Sequence, residues 1–140
     1  MSHAALLFAV LYAVFAFLVY TVQLSIGVPA VSRGETGPLQ VLILTPHSLF
    51  WVVDALAYIC MGISTLFAAF VFDWQGREKW IRGLMLANGL MVPVIMLVYF
   101  YPHFSIPLLL MASPWCITCP GSMLLLAIYF MREKFSTQFL

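Results

Sequence analysis

The chain has 140 residues, 64% of them hydrophobic and 8% charged, with a formal net charge of +1. A water-soluble domain carries about 25% charged residues, so a chain this poor in charge cannot cover a water-facing surface, and its expected solvent is lipid. No basic patch stands outside the ends of the apolar runs, which argues against a nucleic-acid partner, and three cysteines inside apolar runs (Cys60, Cys116 and Cys119) do not make a disulfide framework.

A helix rises about 1.5 Å per residue and needs about 20 residues to cross the hydrocarbon core. The first apolar run, residues 4–28, has no formal charge and fits one span. No basic cluster precedes it and no small-residue cleavage site follows it, so it reads as a retained helix and not a signal peptide. Ala5, Ala9 and Ala13 recur every fourth residue. Lipid is as apolar as leucine, so such a small-residue stripe is where another helix is expected to pack. An exterior loop is predicted over 29–47, polar through 32–38 and apolar over 39–44. The apolar piece is too short to span; it can lie on the interface, re-enter the helices or form a lid.

The second span is predicted over 48–72, with Ser64 and Ala68 as its small face and one acid, Asp54. Residues 83–131 hold no acid, lysine or arginine and are too long for one span. The natural break is Tyr101-Pro102-His103-Phe104-Ser105-Ile106-Pro107, which leaves a third span over 80–100 and a fourth over 107–131. Pro114, Pro120 and Gly121 predict that the fourth is bent or unwound near its middle. The runs are continuous and far longer than the roughly 10 residues of a membrane strand, so a β-barrel does not fit. The expected fold is therefore an all-α membrane protein: one domain, residues 1–140, of four antiparallel transmembrane helices in a bundle.

Basic residues set the expected orientation. Arg77, Lys79 and Arg82 fall between spans two and three, Arg132 and Lys134 follow span four, and only Arg33 lies on the opposite side. The positive-inside rule then places both termini in the cytoplasm. Trp74 and Trp80 flank the inner loop, and Trp51 and Tyr101 the outer side, where aromatic belts are expected.

Few polar residues are left to carry chemistry. Asp54 sits about two turns from the outer end of span two, and a carboxylate in lipid must find donors or face an interior site. Tyr58 lies four residues on, along the same helical face. Tyr20 and Gln23 reach a similar depth on span one, and Asn88 lies nearer mid-depth on span three. Tyr20, Gln23, Asp54, Tyr58 and Asn88 are thus candidates for one polar cluster: a site for a ligand, proton or ion, or simply a latch between helices. Cys116 and Cys119 have CxxC spacing, which serves thiol–disulfide exchange. Membrane thiol oxidoreductases also need a second cysteine pair in an exterior loop, and neither exterior loop here has a cysteine. Two ordinary buried thiols explain the pair equally. His47 and His103 stand at the outer interface and His3 at the inner one, candidates for a metal or pigment without any i, i+4 pairing. No phosphate-binding loop, dinucleotide fingerprint or nucleophile elbow occurs.

Four short segments resemble a group of small four-span bacterial membrane proteins of no assigned activity. They are Tyr20-x-x-Gln23-Leu24, Asp54-x-x-x-Tyr58-x-x-x-Gly62, Trp80-Ile81-Arg82 with Asn88-Gly89, and Pro120-x-Ser122 through Ala127. The resemblance implies the same four-helix layout, in a prokaryotic plasma membrane, and no assigned activity. Three functions remain open: a non-enzymatic scaffold or accessory subunit partnered by other membrane proteins or by itself; a binder of a lipid, quinone or pigment at the polar cluster; and a thiol oxidoreductase. No resident cofactor is expected.

Overall fold

In the computed structural model, residues 2–35, 37, 39–103 and 105–137 are described. They form helices and turns, with no strand among them. Thr36, Pro38 and Phe104, placed in the exterior loops above, lie outside the described residues, as do residues 1 and 138–140.

The first helical run outlasts its expected end. α1 (Ser2–Val22) passes through a π-helical turn (Gln23–Gly27) into α2 (Val28–Arg33). Pro29 explains the shape. Its ring nitrogen cannot donate, so it belongs in the first turn of a helix, where the donor is not needed. The widened turn, in which the Val28 amide reaches back to the Gln23 carbonyl, resets the register before it. Gly34 then ends the run in the left-handed region (φ 73°), with Glu35 N–H donating to Ala30 O at 3.0 Å. The expected 29–47 loop therefore begins five residues later, after Arg33.

α3 (Leu49–Ala69) is capped by the Ser48 hydroxyl, which accepts the Trp51 amide at 3.2 Å. It is the central helix and packs on α1, α4 and α5. Against α1, the Ser64 hydroxyl donates to Ala5 O at 2.8 Å, and the rings of Phe8 and Phe67 stack 6.1 Å apart. Of the expected alanine stripe, Ala5 is buried but Ala13 is exposed. A step of four residues overshoots a full turn by about 40°, so the stripe rotates out of the contact by its third member.

α4 (Glu78–Leu90) and α5 (Val92–Phe100) form the third long helix, hitched at Met91 because Pro93 cannot donate back to Gly89. It meets α3 at two glycines. A Cβ on Gly89 would lie 2.7 Å from Leu66 Cβ and 3.1 Å from Gly62 O, and one on Gly62 would run into Val92. Gly62 and Gly89 thus let these two backbones approach closely, while Ser64 of the expected Ser64/Ala68 face packs on α1.

The fourth helix is α6 (Ile106–Met111) followed by α7 (Trp115–Thr137). It breaks at 112–114, about two turns from its outer end, whereas the sequence predicts a bend near the middle. Pro120 lies inside unbroken α7, where the Ser122 hydroxyl donates to the Cys119 carbonyl at 2.8 Å. α7 packs on α4, and a small core of Ala69, Ile81 and Met85 closes the inner end. Contacts pair residue 5 with 64, 65 with 88 and 88 with 118, so successive long helices run antiparallel. All four are long and apolar enough to cross a membrane. Leu6, Phe17 and Leu24 on the first and Ile117, Leu124 and Phe130 on the last remain exposed.

Candidate functional site

Trp51, Asp54, Tyr58, Met61 and Thr65 recur at three- and four-residue steps, which places them on one stripe of α3. That stripe faces the second half of the chain. The Asp54 carboxylate is 6% exposed and accepts from the Tyr99 hydroxyl at 2.6 Å. Trp51 holds the same tyrosine from above: its indole N–H donates to Tyr99 O at 3.0 Å, and the rings stand 4.5 Å apart. The Tyr58 ring is 6.2 Å from that of Tyr99 and 5.0 Å, edge-on, from that of Trp115. Its hydroxyl reaches Tyr20 at 3.5 Å. Asp54 is thus lodged among aromatic rings from α3, α5 and α7, with α1 touching the far edge.

The five residues expected in one cluster divide into three groups. Tyr20, Asp54 and Tyr58 stay together, joined by Tyr99. Gln23 turns away: its amide nitrogen donates to Leu42 O at 2.7 Å and its oxygen accepts Leu44 N–H at 2.9 Å. It pins the loop after Arg33 to the first helix. Asn88, fully buried, donates to Thr65 Oγ1 at 2.9 Å and accepts from Thr118 Oγ1 at 3.3 Å, tying α3, α4 and α7 together nearer mid-depth. Gln23 separates by helical phase, lying over Gly27 and facing the loop, whereas Asn88 separates by depth, eleven residues or about 16 Å from Tyr99 on the same helix.

Tyr99, Trp115, Thr65 and Thr118 are the members that the sequence reading does not single out, and Trp51, expected in an aromatic belt, also braces the seam. A signal for two of them exists. Trp51 precedes Asp54 by three residues, and Tyr99 stands in the last turn of its helix, at the same end of the fold as Asp54.

A cavity of about 370 Å³ opens beside this seam, at the break in the fourth helix. Tyr58, Tyr99 and Trp115 line it with aromatic surface, Ile95 and Leu109 with aliphatic surface, and Ser113 and Cys116 at the break supply its polar edge. The indole nitrogen of Trp115 is buried and has no hydrogen-bond partner among the described residues. Cys116 is exposed, and Cys119 directs its thiol to the Met61 sulfur at 3.7 Å; both are free. His47 is exposed with a left-handed backbone (φ 67°), and His103 stands 6.4 Å from the Tyr101 ring. No group of three metal-binding side chains converges among the described residues.

No protein-family model, curated protein or solved structure matches the chain.

Proposed function

We propose that the protein is a multi-pass membrane protein that binds a small apolar or amphipathic molecule, of quinone, lipid or pigment type, in the cavity beside Asp54 and Tyr99. Four helices of spanning length and the apolar side chains on their outward faces support the membrane reading. Five basic residues at one end against one at the other support cytoplasmic termini. The cavity then lies in the outer half of the bilayer.

The observation that carries the ligand reading is the cavity itself. Its 370 Å³ falls in the range of small-molecule sites, about 300–1,000 Å³, and its walls combine aromatic faces with a short polar edge. Such walls suit a flat apolar ring with a polar substituent. The test is to purify the protein in mild detergent, extract it with solvent and identify what it carries by mass spectrometry. The expected result is one molecule per chain, lost in Ala112→Phe, which fills the cavity from the break. Asp54→Asn is expected to lose it too while helix content stays unchanged. Wild-type protein carrying only bulk lipid, or Ala112→Phe carrying the wild-type load, overturns the reading.

A scaffold or accessory-subunit role is the second reading. The broad exposed faces of the first and fourth helices favour it. Its test is a stoichiometric protein partner in the same purification. The thiol oxidoreductase reading draws less support, because Cys119 faces Met61 and the exterior loops hold no shuttle cysteines.

A further inference from the structure

The inner rim holds a second recess, separate from the Asp54 seam. The start of α4 and the last turns of α7 leave a groove of about 400 Å³ between them, lined by Arg77, Trp80, Leu125, Ile128, Tyr129 and Arg132. The two arginines come from distant parts of the chain and border one space. Neither has an ion pair or hydrogen bond with another described side chain.

Three other charged side chains at this rim have partners of their own, two of them groove residues. Arg82 donates to Phe72 O at 2.7 Å and lies 4.7 Å from the Trp74 ring. The Lys79 ammonium stands over the Trp80 ring. Glu78 accepts the Asp73 amide at 2.8 Å and the Tyr129 hydroxyl at 3.0 Å. The groove therefore presents two guanidinium groups that no described carboxylate pairs.

Its polarity is ordered along the helix axes. Arg77 and Arg132 stand at the helix ends, while Leu125 lies seven residues, or about 10 Å, deeper than Arg132. Cation at the rim and aliphatic wall below is the order of a phospholipid, phosphate outside and acyl chain inside. A soluble anion would leave the aliphatic wall uncovered, and an apolar helix would bury the charges unpaired. We infer that this groove binds an anionic phospholipid of the adjacent leaflet, its phosphate engaged by Arg77 and Arg132 and an acyl chain laid along Leu125 and Ile128. The inference rests on the membrane reading above; with the basic end inside, the leaflet is the cytoplasmic one, where anionic lipids are enriched.

The test uses the full chain in nanodiscs of phosphatidylcholine with a minor fraction of phosphatidylglycerol, read by native mass spectrometry for retained lipid. Wild-type protein is expected to retain phosphatidylglycerol in preference to phosphatidylcholine. The preference should fall by about fivefold for each arginine removed, and so vanish in R77Q/R132Q. It should persist in R77K/R132K and in R33Q, whose charge lies at the other rim. No preference in wild type, a preference that survives R77Q/R132Q, or equal loss in R33Q overturns the site. Alkaline carbonate extraction of native membranes separates the two levels. A chain released by carbonate overturns the membrane reading and the site with it, whereas a resistant chain without lipid preference overturns the site alone.

Discussion

Asp54 sits in an apolar interior because a hydroxyl from another helix is aimed at it. The Tyr99 bond of 2.6 Å is the shortest link between α3 and α5 described above, and Trp51 braces Tyr99 through both its carbonyl and its ring. Hydrogen bonds between membrane helices contribute about 0.6–2 kcal/mol, since the separated helices also find partners in lipid. Tyr99→Phe removes the donor and keeps the ring, so a loss of that size is expected, seen as a modest fall in the detergent melting temperature. Tyr99→Leu also removes the contacts to Trp51 and Tyr58 and should cost more. Equal melting of the two variants would show that the hydroxyl alone holds the seam. Asn88 has two partners, and Asn88→Ala strands the Thr65 and Thr118 hydroxyls as well as opening a void. Its loss should therefore exceed that of Tyr99→Phe in the same melting assay.

At the scale of the element, backbone approach outweighs single hydrogen bonds. α3 and the third helix touch at Gly62 and Gly89, where an added Cβ meets backbone and a Cβ atom that cannot move aside. Overpacking of this kind costs about 1–3 kcal/mol. Gly89→Ala is expected to lower the melting temperature more than Tyr99→Phe, and Gly89→Leu to abolish recovery of folded protein in detergent. Gly27 gives the opposite case. A Cβ there would lie 2.6 Å from Gln23 Oε1, the end of a flexible side chain that can swing away. Gly27→Ala should leave melting almost unchanged while freeing the Leu44 amide, which Gln23 accepts at 2.9 Å. Faster hydrogen exchange at residues 42–44, with the helices still protected, is the expected signature.

For the whole molecule, the testable property is direction. In a variant without native cysteines, Glu35→Cys should react with a membrane-impermeant maleimide added to intact cells, and Gln75→Cys only after the membrane is opened. The reverse pattern would invert the proposed topology. Replacing Arg77, Lys79 and Arg82 by Gln removes three of the five inner charges and is expected to yield a mixed population in the same labelling. The molecule is also uneven in depth of packing. The second helix is enclosed by its neighbours, whereas the first and fourth leave most of their apolar surface outward. Substitutions on α3 are therefore expected to destabilise far more often than those at Leu6, Phe17 or Leu124.

Composition and run length by themselves determined the all-helical class, the four long apolar helices and the ends carrying the charge. These depend only on the length of each run and on the absence of charge within it. The acid at Asp54 and its helical neighbour Tyr58 were legible for the same reason, since their spacing lies within one element. Which residues on other helices face them was decided only by the tertiary structure. Tyr99, Trp115 and Thr118 are ordinary members of apolar runs until the rotation of each helix about its axis is set, and Pro93, the break at 112–114 and the glycine contact set that rotation. Gln23 left the expected cluster on that account, because azimuth is fixed by packing, whereas Asn88 meets the same stripe of α3 three turns away from Tyr99, at Thr65, a separation that can be counted along the sequence.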